Sequence, residues 1–172
     1  MPILDAIPNQ TVNVGQAPPV TGSATDTDSP PPVLTFSLLN APGDATLTKI
    51  NSTHAAFNWQ PLTSDANATN QVTLKVADNA SPILSATQSF LVMVNPLTPP
   101  TLSSPLWING QFGLSVTGQV GPDYAVQTAT NLNDWTTSWT TNSPPMPFGW
   151  VDTSAGAYPM RFYRLVAGPP LP

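Results

Sequence analysis

The sequence predicts an all-β protein, arranged as two tandem sandwich domains joined by a proline-rich linker, and three observations carry that prediction. The 172 residues include 22 prolines, all nine acidic residues are Asp, and only 8% of the chain is charged. Proline breaks the helical ladder, and the abundant Thr, Ser and Asn compete for backbone groups, so long helices with Glu and Lys on their solvent faces are excluded. Apolar residues instead alternate with polar ones at period two in segment after segment, the signature of strands with one buried face. The alternation then lapses once, in NPLTPPTLSSP, whose proline and small polar residues mark a stiff, extended linker. Domains commonly run about 100 to 150 residues, so this length accommodates two small units. The expected boundaries are 1–96 for the first sandwich, 97–105 for the linker and 106–172 for the second.

Taken in order, Ile3-Leu4 and Thr11 to Val14 read as short edge strands. Val20 to Thr25 leads into the acidic turn Asp26-Thr27-Asp28-Ser29 and three prolines, and Leu34, Phe36 and Leu38 then alternate with Thr35 and Ser37. Ala45 to Ile50 and Ala55 to Trp59 supply two more strands around the Asn51-Ser52-Thr53 turn, with Phe57 and Trp59 facing inward. Pro61 to Asn70 reads as a polar loop. A hairpin follows: Val72, Leu74 and Val76 alternate with Thr73, Lys75 and Ala77, a turn runs from Asp78 to Pro82, and Phe90, Val92 and Val94 form the returning strand. About seven short strands with regular turn signals predict an immunoglobulin-like sandwich. Beyond the linker, strands are expected at Phe112 to Val116, Tyr124 to Thr130, Thr136 to Thr140, Phe148 to Val151 and Arg161 to Val166.

The pieces NQTVNVG, ATDTDSPPPVLTFSLLNAPGDATL, FNWQP and VTLKVADNASPILSATQSFLVMV, in this order and spacing, resemble the cadherin-like and immunoglobulin-like repeats of large bacterial surface proteins. GQVGPDYAVQTATNLNDWTT and RFYRLVAGP resemble a short β-sandwich module found at the C-terminal ends of secreted proteins of verrucomicrobial type. The fold class implied is therefore two tandem Ig-like/cadherin-like β-sandwich domains. The second module brings no activity with it. The first resemblance implies a calcium site, because an Asp-X-Asp turn and an Asp after the penultimate strand meet at one tip of a cadherin-like domain. Asp26, Asp28 and Asp78 match those positions, and carboxylates suit calcium's demand for six to eight oxygen ligands. This chain departs from the pattern near FNWQP, where Asn58, Trp59 and Gln60 replace an acidic pair. The alternative is that the three Asp residues cap turns. No cofactor is required on either reading, and Ca2+ is the one candidate.

Charge and composition exclude several functions. The net charge is −5, and the four cations, Lys49, Lys75, Arg161 and Arg164, form no basic run to neutralise phosphates, so nucleic acid is not an expected partner. Cysteine is absent, which removes disulfides and thiolate metal sites. No stretch approaches the roughly 20 consecutive apolar residues needed to span a bilayer, so membrane insertion is not expected. MPILDAIPNQ lacks a cationic region followed by an apolar run, so no secretory signal lies in this numbering. The low-charge, Thr- and Asn-rich composition fits an extracellular or cell-surface location. Catalysis has little support: His54 is the lone histidine and reads as a turn residue, and two small sandwiches seldom build a glycosidase cleft. Four Asn-X-Ser/Thr triplets, at Asn9, Asn51, Asn67 and Asn79, matter only in a host that glycosylates them.

Two clues point to partners. Leu91 and Met93 alternate with core residues and so face outward on an apolar strand, and Leu106-Trp107-Ile108 is another apolar run to be covered. Copies of the same chain, meeting head to tail through strand edges and these faces, would build a filament if the rotation does not close. The expected function is thus a non-enzymatic, self-associating surface or filament subunit. The alternative is a carbohydrate-binding or adhesive module for cell-surface glycans. The aromatics of the second half mostly serve as core, with Trp107 and Trp139 the candidates for stacking against sugar rings.

Overall fold

The computed structural model describes residues 1–168 and is all-β, with fourteen strands and two single-turn 3-10 helices. The last four residues of the expected second domain lie outside the described residues. Two compact units divide the chain. Met1–Val12, Ala17–Gln60 and Asn67–Asn95 form the first, and Asn13–Gln16, Pro61–Ala66 and the residues from Pro96 onward form the second.

The first unit is a sandwich of two four-stranded sheets. One has the order β1 (Ile3–Leu4), β3 (Val20–Thr25), β6 (His54–Asn58), β5 (Thr46–Lys49). The other runs β2 (Gln10–Val12), β8 (Ser85–Val94), β7 (Thr69–Ala77), β4 (Thr35–Asn40). Period-two alternation determines which residues meet between them. Val72, Leu74 and Val76 of β7 and Val92 of β8 are wholly buried. Leu4, Ala24 and Leu34 join Leu74 and Val76 in one cluster, and Phe57 meets Phe90 edge to face at 5.8 Å. Trp59 is buried as expected, with its indole N–H donating to Asp44 Oδ1 at 2.9 Å, which satisfies the one polar group it carries inward. β8 starts five residues before Phe90. Its first half, Ser85 to Ser89, is polar on the exposed side and holds only Ala86 and Gln88 on the other, so it gives no hydrophobic alternation to read.

The second unit pairs two three-stranded sheets. β13 (Phe148–Asp152), β10 (Gln111–Thr117) and β9 (Thr101–Ile108) form one, and β12 (Thr136–Thr141), β11 (Tyr124–Ala129) and β14 (Phe162–Ala167) the other. Leu114, Val116, Tyr124 and Val126 are buried between them, and Phe112 of β10 stacks on Tyr163 of β14 at 4.5 Å. The Tyr124 hydroxyl, fully buried, donates to the Gln119 carbonyl at 2.7 Å and ties the start of β11 to the preceding turn. Gly118 is needed beside it, since a Cβ there would stand 2.6 Å from that hydroxyl oxygen.

The linker assignment requires correction. Of residues 97–105, those from Thr101 onward are already strand β9, which continues to Ile108. Two devices let a proline sit there. β9 is the terminal strand of its sheet, and Ser104 and Pro105 together stand opposite Leu114, a bulge in which Ser104 takes φ 52° and Pro105 owes no ladder hydrogen bond. The Asn109-Gly110 turn, with φ of 52° and 77°, then reverses the chain into β10, as two-residue hairpins require.

Candidate functional site

Asp26 and Asp28 leave the end of β3, and Asp78 follows the last residue of β7. The fold brings all three to one tip of the first sandwich, with a carboxylate oxygen from each within 4.8 Å of the others. Each loop fixes its own Asp. Asp28 donates its backbone N–H to Asp26 Oδ1 at 3.0 Å, while Ala80 and Leu84 donate theirs to Asp78 Oδ1 at 3.2 and 2.9 Å. The α-amine of Met1 donates to Asp26 Oδ1 at 3.3 Å and to Asp28 Oδ2 at 2.9 Å. The N–H of Asp28 holds the Asp26 carboxyl below the usual carboxylate range, against the opposing effect of desolvation, and the Met1 ammonium acts in the same direction as that N–H.

Turn capping engages only one oxygen of Asp78 and one of Asp26. Asp78 Oδ2 and Asp26 Oδ2 are buried without a hydrogen-bond partner, on side chains that are themselves 5% and 2% exposed. A buried polar atom normally has a partner, and hard carboxylate oxygens gathered this closely are the donor set of a hard divalent cation. The residues present therefore fit Ca2+, with Asp26, Asp28 and Asp78 as the ligands this chain offers.

A second buried carboxylate, which the sequence did not single out, is arranged differently. Asp152, at the end of β13, accepts from the Ser154 N–H and hydroxyl at Oδ1 (2.9 and 2.7 Å) and from the Tyr163 hydroxyl at Oδ2 (3.0 Å), and pairs there with Arg161 at 3.0 Å. Burial alone would raise its pKa, but the Ser154 and Tyr163 bonds and the Arg161 charge outweigh burial and leave it below the usual value. Burial and the adjacent Asp152 push the Tyr163 hydroxyl up to about 12. Arg161 also donates to Thr128 Oγ1 at 3.0 Å and lies 4.3 Å over the Tyr158 ring. The compact run Tyr158-Pro-Met-Arg161-Phe-Tyr163 was the available signal, since it holds one of only four cations among aromatics.

The apolar candidates separate. On β8, Met93 is 40% exposed and Leu91 half-buried. Their cross-strand neighbours are Thr11, Thr69 and Gln71, so these two side chains have only polar neighbours on the adjoining strands. On β9 all eight residues are exposed. Trp107 lies opposite Phe112 and so shares its inward face, whereas Leu106, opposite Gly113, faces outward together with Ile108. Val151 also pairs with Gly113 from the other side. Leu106, Ile108 and Val151, each more than half exposed, therefore surround a strand position that has no side chain.

Trp107 and Trp139 do not form one platform. Trp139 packs on Phe148 at 5.5 Å, and Phe148 pairs with Val116, four residues along β10 from the Phe112 that faces Trp107, or roughly 13 Å at strand rise. His54 is half-buried at the start of β6, with Nδ1 2.8 Å from the Thr53 hydroxyl and 3.1 Å from Asn51 Oδ1, a local turn contact.

No protein-family model and no curated protein matches the chain. Among solved structures it is similar to human CDH23 EC21-23 (15% identity, 62% of this chain and 39% of that one, TM-score 0.45). It is also similar to mouse Cadherin-23 EC22-24 (15% identity, 96% and 64%, TM-score 0.44). A third likeness is to MfFcnA4, an endo-fucoidan hydrolase of glycoside hydrolase family 107 (15% identity, 78% and 23%, TM-score 0.46). The chain thus spans less than two thirds of each of these structures, and at this distance none of them speaks to an activity. Among the described residues no helix is long and apolar enough to cross a membrane.

Proposed function

We propose that this chain is a non-enzymatic extracellular structural module that takes Ca2+ at the Asp26, Asp28 and Asp78 tip and associates with copies of itself through β9. The observation that carries the reading is the pair of buried carboxylate oxygens, Asp26 Oδ2 and Asp78 Oδ2, with no partner of their own. Three carboxylates make an incomplete shell for six to eight oxygens, which places the affinity in the about 10⁻⁴ to 10⁻³ M range that suits extracellular calcium. Self-association is supported by the terminal strand β9, all of whose residues are exposed, and the outward trio Leu106, Ile108 and Val151, with Met93 a lesser contact. A free strand edge beside aliphatic side chains invites a second strand to add to the sheet. Analytical ultracentrifugation with and without calcium tests both parts. Assembly that grows with concentration and is abolished by Leu106→Asn with Ile108→Asn supports the reading. Dispersed monomers at high concentration in both conditions contradict self-association.

Glycan binding is a second reading, favoured by one observation: Trp107, 57% exposed, presents its ring at the mouth of a cavity shared with Phe112, Tyr158 and Tyr163.

A further inference from the structure

We infer that the second sandwich carries a binding site for a neutral saccharide of about two sugar rings, formed by two adjoining cavities that meet at Tyr158 and Arg161; this rests on the glycan reading of Trp107. The first cavity, about 260 Å³, has aromatic walls, and Trp107 and Tyr158 are 57% and 42% exposed at its rim. The second, about 300 Å³, is lined by Thr128, Thr130, Asn131, Asp134 and Thr136 beside the same Tyr158 and Arg161. Each is near the lower end of the roughly 300 to 1,000 Å³ typical of small-ligand sites, and both are lined by Tyr158 and Arg161. An aromatic wall beside a wall of hydroxyl, amide and carboxylate groups matches a molecule with an apolar ring face and hydroxyl edges.

Charge selects among the ligands that fit. The Arg161 guanidinium is engaged by Asp152, Ser154 and Thr128, so it offers little net charge to an anion, and the Asp134 carboxylate on the polar wall disfavours one further. A wholly apolar ligand would leave the polar wall unmatched. The site is also held in place before any ligand arrives. Arg161 lies against the Tyr158 ring at 4.3 Å, and the 3-10 turn Ala155–Ala157 is tied to the β9–β10 hairpin by the Gly156 N–H donating to the Gly110 carbonyl at 2.8 Å. A Cβ at Gly156 would stand 2.8 Å from that same carbonyl oxygen, so the glycine permits the close approach that shapes the wall.

The test is a ¹⁵N-edited NMR titration of the whole chain with cellobiose, laminaribiose, mannobiose, chitobiose and, as the acidic arm, digalacturonate, each at millimolar concentration. The wild type, Trp107→Ala, Tyr158→Ala and Trp139→Ala are compared, with thermal unfolding of each variant to establish that it folds. The expected result is a neutral disaccharide that shifts resonances around Tyr158 and Thr130 and binds about tenfold more weakly in Trp107→Ala and Tyr158→Ala but normally in Trp139→Ala. Binding that is lost in Trp107→Ala but undiminished in Tyr158→Ala, with no shift around Thr130, overturns this two-cavity site while leaving the glycan reading of Trp107 standing, and binding that survives both rim substitutions overturns both. Binding of digalacturonate alone overturns the neutral class. Binding of none overturns both the site and the glycan reading.

Discussion

Asp78 and Asp152 are each 5% exposed, each follows or ends a strand, and each is anchored by groups a few residues onward, yet their surroundings differ. Asp152 has both oxygens bonded, to Ser154, Tyr163 and Arg161, and its charge is balanced within the same sandwich. Asp78 has one oxygen held by two backbone N–H groups and the other without a hydrogen-bond partner, in a cluster with two further carboxylates. Burial of a carboxylate therefore does not by itself say whether its oxygens are satisfied within the fold. What distinguishes the two is whether the fold gives each carboxylate oxygen a partner.

The sharpest way to break the comparison is to make Asp152 resemble Asp78. Arg161→Ala leaves a buried carboxylate without its cation and is expected to destabilise the second sandwich by about 3 kcal/mol, the low end for a broken buried pair because Arg161 lies at the sandwich margin. Urea unfolding followed at the tryptophans of that sandwich reads it. Tyr124→Phe follows, costing about 1 to 3 kcal/mol by leaving the buried Gln119 carbonyl without its donor, and is seen as a fall in Tm. Next is pH. The raised Tyr163 pKa contributes stability that is complete below the unfolded value of about 10 and lost as pH rises to about 12, whereas the lowered Asp152 pKa contributes stability lost as pH falls below about 4. Tyr163→Phe should remove the alkaline loss and weaken the acid one, because the Tyr163 hydroxyl is among the groups that lower the Asp152 pKa. The smallest effect is expected of Leu106→Asn, within about 0.5 kcal/mol of wild type in stability, because its side chain is exposed; its effect should appear in assembly alone.

Much of this could be read from residues, and the failures have physical causes. The β7–β8 hairpin and the buried Phe57, Trp59 and Phe90 were legible because alternation reports a two-sided strand directly. The Asp26, Asp28 and Asp78 grouping was legible through resemblance, and their geometry as one cluster agrees with it. β9 was hidden because Pro105 and the run of Ser and Thr look like a linker, and a terminal strand with a bulge tolerates both; the Asn109-Gly110 pair was the hairpin signal that outweighs them. The Asp152, Arg161 and Tyr163 group was hidden because it spans eleven residues, with Asp152 ending β13 of one sheet and Tyr163 in β14 of the other, and no spacing rule reports such a pairing. Trp107 and Trp139 looked equivalent in the sequence, and only strand register separates them.

The central claim is that Asp26 Oδ2 and Asp78 Oδ2, buried without a partner, are the oxygens that calcium engages. Thermal unfolding of the wild type and Asp78→Asn, with and without calcium, tests it most directly. In calcium at a hundredfold excess over Kd the wild type should gain about 2.7 kcal/mol. Asp78→Asn keeps the backbone N–H bonds at one side-chain oxygen and relieves like-charge repulsion, so it should be at least as stable as wild type without calcium and gain little with it. A wild type indifferent to calcium, or a calcium gain undiminished in Asp78→Asn, would contradict the account.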